Sequence, residues 1–586
     1  MPIETRRHIA LKPYLEMIRG CCEGLSSSAL THLVVGLATE VPVAERGPFL
    51  ARIEKLVGMP SGQQTHAENV LPRILGDIEA LREEIAARRA AIEDGSYWED
   101  LTERGEWYDD DDYPDALGDD NVAALEALFD GAGAFFVSSD YAAARRIYAE
   151  LFGLLDECDP DGSMFVSSGS NGDILEARAR YCRCVYETTD AERRAEEMAH
   201  VLEVDRQPGS TFSSDESSRL PVMQDVIDAQ AAVMEGMEPF LRAWRALLSS
   251  RTTNRAHVLL LEVTYWLEGT EGLARLARAW QSTQPRGYVY WLQKLADEQA
   301  WDRVLSVGQE GLSALAPSEF RVQVADALAA AAARQDRDDI ALLARRERFL
   351  SSGRELDLVN LLQLAERSGQ GESELESAVD FLQSHKESML GAAELHVKAL
   401  LMSGRLQTAW EEIRHEPGIG WSHGSTGIVF GSILYVLTEG DERAATIGRV
   451  LRRYAGVPFA EEYWFDSDPE DTGDQSCGSL PEVMAGLAQV SLSREEAVRL
   501  MTWARKIALK RIHHIVSNKH RRAYDRAAEV LGALAECCIL RGQKCEATEL
   551  MREICRVHYN RHTAFRSGVR GVIDASSLLK ESSIDV

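Results

Sequence analysis

Proline is scarce in this chain, at 17 of 586 residues, and aromatic residues make up only 7%. Few prolines mean few forced breaks, and with abundant Ala, Leu, Glu and Arg the composition favours helix over sheet. No series of alternating or β-branched segments is present from which a sheet would be built. No stretch reaches about 18 apolar residues without a charge, which argues against a membrane-spanning helix. The opening MPIETRRHIALKPYLEMIRGCC has no sustained apolar segment ahead of a small-residue cleavage site, so a cytoplasmic location is expected. The ten cysteines are too few for a disulfide scaffold at this length. Most sit in apolar helical runs and read as reduced, buried thiols acting as small hydrophobes.

Positive charge is also in short supply. Against 94 Asp and Glu stand 64 Lys and Arg, a formal net charge of −30. Such a surface repels phosphate backbones, which disfavours nucleic acid as the general partner. It speeds encounter with a protein that presents a basic surface, and that is the partner expected here.

What the chain does have is helical periodicity. Hydrophobic residues make up 45%, enough for a large core. In LPRILGDIEALREEIAARRAAIEDG (71–95), Leu71, Ile74, Leu75, Ile78, Leu81, Ile85 and Ile92 form one stripe, and Gly95 stops the helix. The segment that follows carries Asp109, Asp110, Asp111 and Asp112 in a row and reads as an exposed acidic loop, a candidate partner-binding patch. It lacks the EF-hand spacing, as does DSDPEDTGDQSC (466–477), where Asp471 takes the Gly slot and Cys477 the Glu slot.

From 122 onward the helices come in pairs. VAALEALFDGAGAFFVSSDYAAARRIYAELFGLL (122–155) resembles a tetratricopeptide repeat, with Ala132, Phe135, Ala144 and Tyr148 at the packing positions and Ser139 where the turn usually has Gly. The pattern returns at 392–413 with Leu400, Gly404, Leu406 and Ala409, and at 527–555 with Ala535, Cys538, Gly542, Ala547 and Met551. Weaker versions surround 296–312 and 434–451, at irregular spacing. The expected fold is all-α: degenerate helix–turn–helix, tetratricopeptide-like repeats forming a solenoid or layered helical bundles. Composition shifts divide the chain into an N-terminal helical region (1–95), an acidic loop (96–121), helical pairs (122–206), a linker (207–221), a helical repeat region (222–415), a Gly-rich loop (416–427), helices (428–454), a second acidic loop (455–481) and a C-terminal helical domain with a basic helix (482–586).

Three segments invite chemistry. G-W-S-H-G (420–424) fits the nucleophile-elbow pattern G-x-S-x-G, with Ser422 as nucleophile and His423 beside it. That motif needs a buried strand before it to aim the hydroxyl, and LQTAWEEIRHEPGI is instead a charged amphipathic helix stopped by Pro417. It reads as loop, leaving a Ser422 hydrolase as the enzyme alternative. Cys555, His558 and His562 lie at i, i+3 and i+7, on one face if helical, near Cys537, Cys538 and Cys545. They are the zinc alternative, but the short knuckles typical of structural zinc are absent, and the small-residue needs of helix packing explain Cys538 and Cys545. No P-loop, dinucleotide fingerprint, H-E-x-x-H or kinase set appears, so no catalytic, cofactor or metal residue is assigned.

The third segment, WARKIALKRIHHIVSNKHRRAYDRA (503–527), inverts the charge of the whole. Arg505, Lys506, Lys510, Arg511, Lys519, Arg521, Arg522 and Arg526, with His513, His514 and His520, face a single acid, Asp525. It is open to three readings: a solvated basic face, pairing with the chain's own acidic segments, or a dock for an acidic partner or nucleic acid.

The C-terminal stretch 521–569 resembles the helical tails that accompany bacterial SWIM-type zinc-finger proteins. The likeness lies in a Tyr-x-x-Ala-Ala opening (Tyr524, Ala527, Ala528), a Gly turn and an Arg/His-rich end before Phe565. The SWIM motif, C-x-C followed by C-x-H, is absent: Cys182 and Cys184 supply its first half and nothing supplies the second, so no zinc ligand carries over. The resemblance to tetratricopeptide-like proteins implies a scaffold or adaptor that binds other proteins. The loops at 207–221, 416–427 and 455–481 would be open to proteases. They motivate a narrower expectation, a bacterial regulator whose partner binding is controlled by cleavage, for example in a defence system with a caspase-like protease.

Overall fold

The computed structural model describes residues 67–94, 96–97, 117, 119–158, 174–205, 220–230, 232–416, 425–455 and 478–582. Among them every regular element is a helix and no strand occurs. No described helix is long and apolar enough to cross a membrane. The all-α expectation holds, and the chain divides into two compact units, Met1–Leu273 and Ala274–Val586.

In the first unit the Ala67–Asp94 helix turns Ile78, Leu81 and Ile85 into the core. It packs on the pair Asp119–Val137 and Tyr141–Cys158. Of the four packing positions expected here, Ala132, Ala144 and Tyr148 are buried, while Phe135 is half-buried and its neighbour Phe136 takes the core place. Phe129, Tyr148, Phe152 and Tyr181 then tie this pair to the Ile174–Thr188 helix, with ring centroids 5.4–6.4 Å apart. Such offset and tilted aromatic pairs each add about 0.5–1.5 kcal/mol beyond the area they bury.

The second unit begins as a stack in sequence order. The helices Arg286–Asp297, Trp301–Ala314, Glu319–Arg334, Asp338–Ser352, Glu355–Arg367, Gly371–His385 and Ala392–Met402 each pack on their neighbours in the chain. Arginines rivet successive layers: Arg321 to Glu347, Arg348 to both Asp326 and Asp357, and Arg346 to Glu374. Beyond Met402 the order changes. The Ala392–Met402 helix also packs on Leu480–Leu487, and Ala445–Ala455 packs on Tyr524–Leu540, so distant segments interleave as layers. The Tyr524–Leu540 helix is the centre of this part, covered by the Arg494–Ser517, Lys544–Arg552 and Thr563–Ala575 helices. Its run AAEVLGALAECC explains why: small residues on every side let neighbouring backbones close in, and a helix apolar all round is a buried one.

One backbone device recurs across these pairs. A residue in the left-handed region ends the first helix, and the next residue's N–H donates back to the carbonyl five positions earlier. Ser139 does this in the first unit, with Asp140 N–H to Phe135 O at 3.0 Å. Gln299, Asp336, Gly369, Gly404, Glu439, Lys519 and Gly542 do it in the second, as in Arg337 N–H to Ala332 O at 2.9 Å and Gln543 N–H to Cys538 O at 2.8 Å. Only three of these turn residues are glycine, which is why the repeat is regular in the backbone and degenerate in the sequence.

A second device caps helix starts from a distance. Glu262 accepts from the N–H groups of Met223 and Gln224 at 3.0 and 2.8 Å. Glu355 accepts from Lys398 Nζ at 2.6 Å and from the hydroxyl of Ser479, the N-cap of Leu480–Leu487. Glu536, wholly buried, accepts from the N–H groups of Thr446 and Ile447 and the hydroxyls of Thr446 and Ser576. Buried carboxylates are tolerated because the first turn of a helix offers unpaired N–H donors and a positive dipole end.

Candidate interaction site

The basic segment is built by two helices and the turn between them. Ser493 and Glu496 form a reciprocal capping box that starts the Arg494–Ser517 helix. Its buried stripe runs through Leu500, Ala504, Ile507, Ala508, Arg511, Ile512 and Ile515. That register splits the basic residues. Lys506 and Lys510 point to solvent, whereas Arg511 falls on the stripe and is only 6% exposed. Arg505 is bound to Glu546 of the Lys544–Arg552 helix, so part of the segment pairs with the chain's own acids.

Lys519, left-handed at φ 58°, then reverses the chain, and His520 N–H closes the helix on Ile515 O at 3.1 Å. A single 3-10 turn, Arg521–Ala523, leads into Tyr524–Leu540. The reversal encloses an open pocket of about 450 Å³, lined by Arg511, His514, Ile515, His520, Arg521, Arg522, Ala523 and Arg526. Among the described residues no carboxylate lines it. The His514 and His520 rings lie 5.7 Å apart on one wall. Burial pushes the Arg511 guanidinium below its ordinary range; the neighbouring Arg526 adds to the effect, and Tyr454 works against it. Of the nearby acids, Glu529 accepts from Arg453 Nε at 3.2 Å. Sequence reading placed Arg505, Lys506, Lys510, Arg511, Lys519, Arg521 and Arg522 in one partner-binding stretch, within a segment that also carries His514, His520 and Arg526. The fold brings Arg511, Arg521, Arg522, Arg526, His514 and His520 together at the pocket and leaves Arg505, Lys506, Lys510 and Lys519 outside its lining.

The Cys/His set is rearranged. The Lys544–Arg552 helix continues as a π-helical stretch, Glu553–His558, so the i, i+3, i+7 face does not form. Cys555 is buried, and burial pushes its thiol up to about 11. The His558 side chain is half-exposed beside Glu553, at 3.5 Å, while His562 lies in the turn before Thr563–Ala575, 3.4 Å from the Tyr524 hydroxyl. The polar centre of this corner is the Tyr559 hydroxyl, within 2.6 Å of His513 Nδ1 and 2.9 Å of Ser517 Oγ. Among the described residues no group of three or more His, Cys, Asp or Glu is arranged to hold a metal ion. Asp109 to Asp112, Ser422 and His423 lie outside the described residues, as do most of the loops 207–221, 416–427 and 455–481.

No family model matches the chain, and no curated protein matches it. The likeness to SWIM-associated tails therefore stands only on the residues that suggested it. Among solved structures, a "circular tandem repeat protein with novel repeat topology and enhanced subunit contact surfaces" is 15% identical, over 88% of this chain and 99% of its own, with a TM-score of 0.16. At that score the two chains do not superpose as wholes, and the helical-repeat architecture rests on the packing described above.

Proposed function

We propose that the chain is a non-catalytic interaction scaffold that docks a protein partner with a basic surface. The observation supporting this reading is the stack from Trp301 to Met402. Each helix there packs on its sequence neighbours, which leaves the outer faces and turns to solvent. Asp336, Asp338, Glu366, Glu372, Asp380 and Glu387 are exposed along it. A stacked array presents an extended surface of fixed spacing, and its acidity favours rapid capture of a cationic partner.

The test is affinity capture from the native host with the full chain as bait, beside a variant carrying Asp336→Lys, Asp338→Lys, Glu372→Lys and Asp380→Lys. A basic protein recovered in near-stoichiometric amount with the first and lost with the second is expected. The reading fails if the same proteins accompany both baits, or if neither recovers any.

A further inference from the structure

Imidazoles surround the buried Tyr559. The rings of His513, His558 and His562 lie 5.6, 6.4 and 5.3 Å from its own, and Phe565 lies at 5.9 Å. Three of the chain's 14 histidines thus meet at one residue that is only 6% exposed. They come from three elements: His513 from Arg494–Ser517, His558 from the π-helical Glu553–His558, and His562 from the turn before Thr563–Ala575. The link from the first element to the others is short and polar, since the Tyr559 hydroxyl is 2.6 Å from His513 Nδ1 and 2.9 Å from Ser517 Oγ. With the His513 ring neutral and its proton on Nε2, Tyr559 donates to Nδ1 and accepts from Ser517. A charged His513 carries a proton on both nitrogens, so this chain must reverse. Its charge would also stand in the seam, with the His558 ring edge-on at 5.4 Å.

The charges that bear on His513 are few. Burial pushes it below its ordinary value of 6.5, His558 adds to the effect, and Glu553 opposes it. Glu553 is shared, because it also stands 3.5 Å from His558 Nε2. On its own helix the exposed Lys510 lies one turn earlier. The Thr426–Leu437 helix, which also packs on Arg494–Ser517, carries no charge. No charge of Tyr524–Leu540 or of the Arg521–Ala523 turn acts on His513. The native value is therefore below that of the released chain. The contact is fully stable above about 6.5 and loses stability as pH falls through the native value. The Tyr559 ring attracts an imidazolium, but one ring does not offset a pair of facing charges.

The geometry points to an acid-released latch: neutral His513 clasps Tyr559, and its protonation frees the Glu553–Ala575 layer from the Arg494–Ser517 helix. Release uncovers Tyr559, Cys555, Phe565 and Val569, all buried in the closed state. The moving side is the π-helical stretch, a type of irregularity that recurs where helices do work other than packing. The latch regulates which surface the second unit presents, an apolar face in acid and a covered one at neutral pH, and it does so independently of the acidic stack.

The test is labelling of the full chain with a dipyridyl disulfide, which reacts with thiols in acid as well as at neutral pH. Labels on the Cys555 and Cys545 peptides are read by mass spectrometry. Cys545 is exposed and serves as the internal reference, whereas Cys555 is buried behind the latch. The Cys555 to Cys545 labelling ratio should rise severalfold between about pH 7.5 and 5.5. His513→Gln with His558→Gln removes the titrating pair and should leave the ratio flat. Glu553→Gln, an exposed position that should fold normally, removes the one opposing carboxylate, so release should begin at higher pH. The proposal is overturned by a flat ratio in the wild-type chain, by a rise that persists in the double glutamine variant, or by a release profile that Glu553→Gln does not move.

Discussion

Replacing Glu536 with alanine should loosen the second unit more than any surface substitution. Its two oxygens accept from Thr446 N–H at 2.9 Å, Ile447 N–H at 3.0 Å, the Thr446 hydroxyl at 2.7 Å and the Ser576 hydroxyl at 2.6 Å. The side chain is wholly buried, so no water stands ready to replace it. Alanine strands two backbone N–H groups and two hydroxyls, each costing about 1–3 kcal/mol if left unmet, and opens a cavity. Relaxation will recover part of this, which leaves a loss of about 3–5 kcal/mol. Glutamine at the same position keeps the shape, but its NH₂ faces a donor, so about half of that loss is expected. The assay is hydrogen exchange of the peptide covering 445–455, read with the urea midpoint of the full chain. A chain of this size need not unfold in one step, so local exchange is the sharper readout. Unchanged protection at Thr446 and Ile447 in Glu536→Ala, with a midpoint shift worth less than about 1 kcal/mol, would refute the idea that this carboxylate caps the Ala445–Ala455 helix.

Gly486→Ala should destabilise by about 3 kcal/mol, because the added Cβ would fall on the backbone carbonyls of Leu401 and Met402, which cannot swing aside; a melting temperature within a degree or so of wild type would contradict the packing of Leu480–Leu487 on Ala392–Met402. Glu262, pushed up to about 7 by burial, makes the first unit pH-sensitive. Its folded pKa lies above the unfolded value near 4.5, so the native state holds a proton the unfolded chain has lost, and stability falls as pH rises from about 4.5 through about 7, by some 3 kcal/mol in all. Glu262→Gln should flatten that slope, and parallel melting-temperature profiles for the two proteins between pH 5 and 8 would rule the effect out. Asp336→Gly should stabilise by about 1 kcal/mol by relieving the left-handed turn at φ 53°, measured as a higher urea midpoint; a lower one would show that the side chain contributes more than its backbone costs.

Helix content and pairing were legible because burial in a helix has a period. The stripe on 71–95 and the packing positions Ala132, Ala144 and Tyr148 could be read directly, as could Leu400, Leu406 and Ala409. The length of the repeat was not, because its defining feature is a backbone conformation. Ser139, Gln299, Asp336, Glu439 and Lys519 adopt it without being glycine, and a left-handed Gln or Lys has no mark in the sequence. The basic segment stood out by charge, but its division into pocket and solvent faces depends on the helical register and on the reversal at Lys519. Arg526 joins Arg511 only because that reversal folds one helix back beside the other. Cys555, His558 and His562 show the converse: spacing implies a shared face only on a regular α-helix, and the chain departs from one at Glu553. The distant caps made by Glu262, Glu355 and Glu536 had no signal at all, since a lone Glu in an apolar run looks like any surface acid until its donors are in place.

The central claim is that the acidic outer face of the stacked helices is where a partner docks. Hydrogen exchange of the full chain with and without the captured partner tests it most directly. The account predicts slowed exchange at the turns around 336–338, 368–372 and 386–390, where Asp336, Asp338, Glu372 and Glu387 are exposed. Slowed exchange confined to other segments, with these turns unchanged, would contradict it.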